Sequence, residues 1–520
     1  MKTISTTLIV LFFSCATITA QNLMLSNGAK AIIGPGASFT FAEVVNDDPA
    51  NLHIKSDETG SGSLIYTNTE NDQPYATVEL WVGNTEQWHL VSPPTTNTTA
   101  LDFYIEGLQP TGLMWYDENV NYIPPPAPNA ANGWTTILDL EYPIHVGQGY
   151  SYYQASERTA ETGRVTFTGQ LKSDDIDYSS AGLDLLQYSG PAPEQYGWNL
   201  IGNPYTAALV EGTGTVTEIA NIEPAAWIWE GGNTNNYFVW RFPAEEDTEE
   251  HPIVIPMGQA FFVHAIDDQP EMKIYADNRK HNHDRPIYKK SEEFAEEVYG
   301  DITLMAYNNE ATDKLVIELP IEEINTDEPR MSISKLFGPP ESPQLFSREG
   351  VRHISIQTYP DYIPERIVDV GYIPGAEGDQ LFTFAIDLPA EAEVYLEDRL
   401  TGWFQDLIEN PEYAFQGSKE DDVDRFRIHF ILTPDDVDEF AVEHEISIYA
   451  WDKAVYIKNP DPKLGAASQV YIYDMYGKVV LTESMHLNTL TRIPVTVSNS
   501  YLVVKVRNGD EVITEKVFIK

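Results

Sequence analysis

The sequence predicts an all-β protein made of several β-sandwich domains in tandem, and three observations carry the prediction. Runs of five to eight residues rich in Val, Ile, Tyr and Phe recur between clusters of Gly, Pro, Asn and Asp, as strands between turns do. Long amphipathic helical periods are nearly absent. A unit of about 110 residues occurs twice in succession. At 520 residues the chain exceeds what one hydrophobic core usually serves, and with 42% apolar and 12% aromatic residues it can bury enough surface to fold.

The first element is a secretory signal at residues 1–20. Lys2 precedes the apolar run Leu8, Ile9, Val10, Leu11, Phe12 and Phe13, and small or polar residues lead to Ala20. Cleavage is expected between Ala20 and Gln21. A membrane-spanning helix needs about 20 apolar residues, and Ser14, Thr17 and Thr19 interrupt this run too early, so no transmembrane segment is expected after cleavage. Cys15, the single cysteine, could instead accept lipid, but the bulky Phe13 stands where such signals usually have a small residue. Cleavage at Ala20 leaves a chain without disulfides, thiolate metal ligands or a cysteine nucleophile. Residues 21–62 read as an N-terminal β segment.

Residues 63–285 read as the duplicated region. Gln87, Trp88, His89, Leu90, Val91, Ser92, Pro93 and Pro94 are echoed 110 residues later by Gly197, Trp198, Asn199, Leu200, Ile201, Gly202, Asn203 and Pro204. Val146, Gly147, Gln148, Gly149 and Tyr150 are echoed at an offset of 111 by Met257, Gly258, Gln259, Ala260 and Phe261. Between them, Leu113 to Tyr116 correspond loosely to Ala226 to Glu230, which would match Trp115 with a tryptophan of the second copy. The repeats are placed at about 63–165 and 166–280, and either two domains or two sheets of one sandwich would satisfy the pattern.

Residues 275–298 are polar and charged and read as a linker. A second sandwich of eight or so strands is expected over 298–435, with period-two strands at Asp301 to Tyr307 and Arg425 to Ile431. It closes in the acidic cluster Asp435, Asp436, Asp438 and Glu439. Residues 446–520 form a separate module, with nine basic and seven acidic residues in an otherwise acidic chain. Strands are expected there at Glu445 to Trp451, Ala454 to Ile457, Gln469 to Asp474, Tyr501 to Val506 and Glu515 to Ile519. Asp474 to Gly477 reads as a four-residue turn with glycine last.

Eighty acidic against 32 basic residues give a formal charge of −48, which argues against nucleic acid or anionic membrane as a partner. The same acidity allows loosely bound calcium, at Glu245, Glu246, Asp247, Glu249 and Glu250 or at Asp421, Asp422 and Asp424, although consecutive like charges usually mark solvated loops. His281, His283 and Asp284 could present ligands to zinc, but they lie in the expected linker. No other cofactor is expected. The sequence lacks a G-x-S-x-G elbow, an H-E-x-x-H helix, a P-loop and a dinucleotide turn, and no carboxylate pair stands out, so no enzyme is expected. Trp227, Trp229 and Trp240 beside Gly231 and Gly232 could stack sugar rings. Alternation on one sheet face would equally place Trp227 and Trp229 in a core.

The stretch Val470 to Val480, then Tyr501 to Val506, then Glu515 to Lys520, resembles the type A C-terminal sorting domain of the Bacteroidota type IX secretion system. The positions that carry the resemblance include Asp474, Gly477, Lys478, Tyr501, Lys505 and Lys516. It covers about 70 residues and departs from the family in having Asn499 and Ser500, rather than glycine, before Tyr501. The resemblance implies an Ig-like sandwich for 446–520, passage through the type IX machinery, and removal of this module as the remainder is attached to the outer surface or released. Upstream, Asn51 to Asp57 with Gly62 to Ile65, the Gly197 to Tyr205 run, Lys335 to Gly338 with Pro343 to Phe346, Val394 to Asp398 and Arg425 to Phe430 resemble segments of large β-rich surface proteins of the same phylum. They imply export and architecture without an activity.

The leading expectation is therefore an exported, non-enzymatic surface protein, adhesin-like or structural, whose partners are the secretion machinery and extracellular glycans or other surface proteins. A glycan-binding accessory protein using Trp227, Trp229 and Trp240 is the first alternative. A hydrolase of extracellular polymers is the second, and it would need two carboxylates about 5–9.5 Å apart in a cleft.

Overall fold

The computed structural model describes residues 18–26, 28–68, 72–83, 87–103, 112–119, 133–154, 163–179, 182–190, 196–211, 218–231, 235–241, 253–281, 301–308, 311–319, 331–360, 363, 365–389, 392–431, 446–451, 453–458, 468–485, 487, 490–497, 500–508 and 511–519. The chain is all-β.

Residues 18–81 build a feature that the strand pattern did not suggest, two stacks of parallel strands. Ile18–Met24 pairs in parallel with Ser38–Val45, which pairs in parallel with Ser63–Ile65. Ala31–Ile33, Leu52–Ile54 and Tyr75–Trp81 form a second parallel set. Between the stacks lies a core that includes Ile33, Phe41, Val44, Leu52, Ile54, Leu64 and Val78. Tyr75–Trp81 belongs to both neighbours, because its other edge pairs antiparallel with Arg164–Gln170, a strand that carries the first repeat past its expected end at about 165. The N-terminal segment thus continues the sheet of the first sandwich. Ile18–Met24 runs across the expected cleavage point, and Asn22, Leu23 and Met24 hold pairs with Glu43, Val44 and Val45 on its C-terminal side.

Each repeat contains a four-stranded antiparallel sheet, and the two sheets share strand order. In the first the order is Gln87–Val91, Tyr150–Gln154, Gly112–Tyr116, Trp134–Thr136. In the second it is Trp198–Gly202, Ala260–His264, Ala225–Glu230, Asn236–Arg241. The register repeats as well. Leu90 faces Ser151 and Leu200 faces Phe262, while Trp88 faces Tyr153 and Trp198 faces His264. This register corrects the match made for Trp115. Met114 lies opposite Ser151 and Trp227 opposite Phe262, so Trp115 takes the place of Ile228.

Two separate cores show that the repeats are two sandwiches. One gathers Leu80, Val91, Phe103, Leu113, Tyr150, Tyr152 and Phe167, the other Ile176, Ile201, Leu209, Ala226, Phe261, Val263 and Ile274. They meet through the Gly-Gln turns in a reciprocal exchange. Val91 bridges Gln259 and Gln148 bridges Ile201. Ser92 N–H donates to the Gly258 carbonyl at 2.8 Å, and Gly202 N–H donates to that of Gly147 at 2.9 Å. Backbones this close leave no room for side chains. A Cβ on Gly149 would lie 2.5 Å from Leu200 Cγ, and one on Gly202 would overlap Ser92.

The expected linker begins later than its composition suggests. Arg279–Lys280 pairs with Ala208–Glu211, and the buried Arg279 donates to the Tyr66 and Ala276 carbonyls. Its charge is absorbed by main-chain oxygens, which is why a basic residue sits inside a fold here.

The next unit is one continuous eleven-stranded sheet rather than a sandwich of eight or so strands. Its path runs from Trp403–Asp406 through Glu393–Asp398, Phe426–Ile431, Glu365–Ile373, Gln344–Glu349, Arg352–Thr358, Thr312–Glu318, Ile302–Tyr307 and Gly378–Ile386 to Glu412–Gly417, with Ile333–Ser334 paired to Arg352–Thr358. The sheet curls so that Leu304, Leu315 and Phe382 from one end share a core with Val394, Phe426 and Ile428 from the other. The C-terminal module has two sheets, ordered Ser447–Trp451, Ala454–Lys458, Leu490–Pro494 and Val479–Met485, Ser468–Asp474, Ser500–Asn508, Glu511–Ile519. Ile448, Val455, Val470, Ile472, Leu502, Val504 and Ile519 fill the space between them.

Candidate functional site

The most densely built polar arrangement lies where the second repeat meets the eleven-stranded unit. Alternation along Ala225–Glu230 sends Trp227 and Trp229 to the outer face of the second repeat's sheet. That face is covered by Val316, Ile333, Leu336, Phe337, Phe346 and Ile356 of the next unit. Trp227 is 1% exposed, and its indole N–H donates to the Ser334 carbonyl at 3.0 Å. Trp229 is also buried and donates to the Trp88 carbonyl at 3.1 Å. Trp240 is half-buried, packed beside the core of the second repeat. The sugar platform expected at Trp227 and Trp229 is therefore corrected to an inter-domain core. Glycan rings need an open indole face, and both faces here are taken by protein.

Beneath these rings sits Glu223, with no solvent exposure. Its carboxylate accepts from Ser334 N–H at 3.0 Å, Ser334 Oγ at 2.7 Å and the Arg352 guanidinium at 2.6 Å, and lies 3.5 Å from His264 Nδ1. Burial pushes the Glu223 carboxyl up, but His264, Arg352 and Ser334 together hold it below its ordinary value. His264 in turn stacks on Trp198 at 4.2 Å and places Nε2 3.0 Å from the Tyr196 carbonyl oxygen. Ser, His and Glu meet here in an order unsuited to nucleophilic catalysis. The hydroxyl donates to the carboxylate instead of the imidazole, and the cluster is shut from solvent. Asn236 donates to the Pro343 carbonyl at 3.0 Å, while Arg241 reaches the Met331 carbonyl at 2.7 Å and Glu318 at 3.0 Å, extending the same seam.

A second seam joins the eleven-stranded unit to the C-terminal module. Ile367, Tyr395 and Ile431 pack on Ala454, Tyr456 and Leu490. His429 Nε2 lies 2.9 Å from Glu397, its Nδ1 lies 3.2 Å from the Tyr449 hydroxyl, and Arg427 donates to the Tyr456 hydroxyl at 3.2 Å. Lys458 closes the edge on Glu393. Burial holds the His429 imidazole below its ordinary pKa, against the opposing pull of Glu397.

The residues of the sorting-domain resemblance lie on the far side of that module. Asp474 Oδ1 accepts from the N–H groups of Tyr476 and Lys478, both at 2.9 Å, and Gly477 N–H returns to the Asp474 carbonyl. Gly477 has φ +79, so the turn uses glycine where a side chain would be strained. Tyr501 pairs with Phe518 across the sheet, and the Lys516 ammonium lies 4.1 Å from its ring centre. Lys505 points outward with Tyr501, opposite Thr514.

The metal candidates are occupied otherwise or lie outside the described residues. His281 uses both ring nitrogens, at 2.9 Å from Thr40 Oγ1 and 2.7 Å from Ser63 Oγ. His283, Asp284, Glu245, Glu246, Asp247, Glu249, Glu250 and the cluster at 435–439 fall outside the described residues. Asp421 accepts from Arg425 at 2.9 Å, Asp424 pairs with Arg348 at 2.6 Å, and Asp422 caps its own turn through Asp424 N–H. Among the described residues no three ligand-type side chains are grouped to hold a metal, and no helix is long and apolar enough to cross a membrane. The polar centres at Glu223 and Glu397 were not foreseen, since one acidic residue among 80 carries no local sign that it will be buried.

Fold and seams define an all-β protein of sandwiches and a curled eleven-stranded sheet joined in series through buried polar contacts. A family model described as a domain of unknown function (DUF8693) matches residues 3–430, and the chain belongs to that family. No curated protein matches it. Among solved structures it is similar to a Ruminococcus gnavus β-glucuronidase at 9% identity, over 28% of this chain and 35% of that one, with a TM-score of 0.10. It is similar also to the adhesin domain of Epf from Streptococcus pyogenes at 8% identity, over 42% and 93%, with a TM-score of 0.12. The BSP domain of a biofilm-associated protein matches at 10% identity over 84% and 90%, with a TM-score of 0.17. The chain thus spans about a third of the glucuronidase's length, and likenesses this slight carry no functional argument.

Proposed function

We propose that this chain is an exported, non-enzymatic surface protein, adhesin-like or structural, delivered by the type IX secretion system. One observation carries the reading. Its aromatic and buried ionisable side chains are spent on joining one β unit to the next, at Trp227 with Glu223 and at Tyr456 with Glu397. Seams of this kind suit a protein that holds its outer loops at a fixed spacing and transmits load along the chain. The secretion route rests on the resemblance of residues 446–520, and removal of that module would part the seam at Ile367, Tyr395 and Ile431.

The test is attachment. A strain deleted for this protein is compared with one complemented by the full chain and one complemented by a chain ending before residue 446, in binding to polysaccharide-coated and protein-coated surfaces. Loss in the deletion strain, recovery with the full chain and none with the truncated chain support the proposal. Equal binding by all three contradicts it.

A further inference from the structure

Lys335 and Asp313 form a pair that none of the seams requires. Asp313 stands in Thr312–Glu318 at a position that alternates with Leu315 and Ile317, so its carboxyl points into the core. Lys335 follows Ile333–Ser334, and its main-chain N–H is tied to the His353 carbonyl at 2.8 Å. The two side chains are 2% and 1% exposed, and Lys335 Nζ lies 2.5 Å from Asp313 Oδ2. The same oxygen accepts the Leu345 N–H at 2.5 Å, and the Lys314 N–H also donates to this carboxyl.

We infer that Lys335 and Asp313 are the partners of an intramolecular isopeptide bond, formed after folding, that ties the strand Thr312–Glu318 to the segment following Ile333–Ser334. A buried amine and a buried carboxyl in contact are driven toward their neutral forms, because desolvation penalises both charges. Burial does lower the Lys335 ammonium and raise the Asp313 carboxyl from their ordinary values. The neutral amine attacks Cγ of the protonated acid, and the C–N bond forms. The negative charge on Oδ2 is met by the Leu345 N–H, as an oxyanion is met in acyl transfer. Oδ1 leaves with the acid's proton and one proton from nitrogen, so one water is released and nothing is oxidised or reduced. The bond would close the loop from 313 to 335 in a protein that, once processed, has no cysteine with which to do so.

The purified full-length protein, folded and then denatured, is digested and examined by peptide mass spectrometry. The expected result is a branched peptide joining the segments of residues 313 and 335, lighter than the sum of its two parts by one water. Asp313→Asn is expected to give the same branched peptide by losing ammonia, and Lys335→Met to give none. Linear peptides bearing unmodified Asp313 and a Lys335 that reacts with an amine reagent after denaturation would overturn the inference. A branched peptide that persists in Lys335→Met would also do so.

Discussion

Replacing Glu223 by glutamine keeps the shape of the buried side chain and removes its charge. The carboxylate now satisfies Ser334 N–H, Ser334 Oγ and Arg352, and faces His264. An amide must turn its NH2 either toward Ser334 N–H or toward the Arg352 guanidinium, so one donor always meets a donor. Removing one partner of a buried charged pair costs about 3–5 kcal/mol. With the side chain's volume retained and Arg352 partly exposed, the lower end of about 3 kcal/mol is expected. Urea unfolding followed by tryptophan fluorescence reads the effect, because Trp198 and Trp227 pack beside the cluster. The midpoint should fall while the slope with denaturant stays constant. The pH dependence carries a sign. Glu223 titrates below its ordinary value of 4.5 in the folded protein, so its contribution is full above that pH and is lost as pH falls through the folded value. The substitution should therefore cost most near neutral pH and progressively less in acid. A loss below about 0.5 kcal/mol, the range of ordinary surface changes, would refute the claim that this carboxylate holds the seam.

Three further outcomes follow from the same geometry. Gly149→Val should destabilise the protein by about 1–3 kcal/mol in thermal unfolding, because its Cβ meets Leu200, Ala260 and the Ile201 carbonyl where the repeats exchange turns. Gly477→Val meets no atom but must hold φ +79, so it should cost about 1–2 kcal/mol, and Gly477→Asn should recover most of this. Burial holds the His353 imidazole down to about 4, helped by Arg348 and opposed by Asp424. It binds fewer protons folded than unfolded, so its share of stability is present above pH 6.5 and is lost between 6.5 and about 4. His353→Gln should flatten that part of the stability profile measured by denaturant titration.

The repeat was legible because its signals are local. A tryptophan, two consecutive aliphatic residues and a proline mark each first strand, and a Gly-Gln turn marks each strand that pairs with it. The turn at Asp474 to Gly477 was legible for the same reason. Ala31–Ile33, Leu52–Ile54 and Ser63–Ile65 are three residues each, too short for periodicity to reveal that they stack in parallel. Val479–Met485 was legible only as a short β run after the Asp474 to Gly477 turn, because alternation fails along it. Val479 is exposed, and Thr482, Glu483 and Ser484 follow a register shift at Ile472 and Tyr473. Trp227 shows the limit most plainly. Alternation correctly places it on one face with Trp229, but whether sugar or protein covers that face depends on Val316 and Phe346, about a hundred residues away.

We propose export through the type IX route with a sorting module at residues 446–520. Its most direct test is the mass and location of the mature protein in wild-type cells and in a strain lacking a type IX translocon component. A chain beginning at Gln21 and lacking the C-terminal module is expected on the surface or in the medium of wild-type cells only. Full-length protein retained in the periplasm of both strains would contradict it.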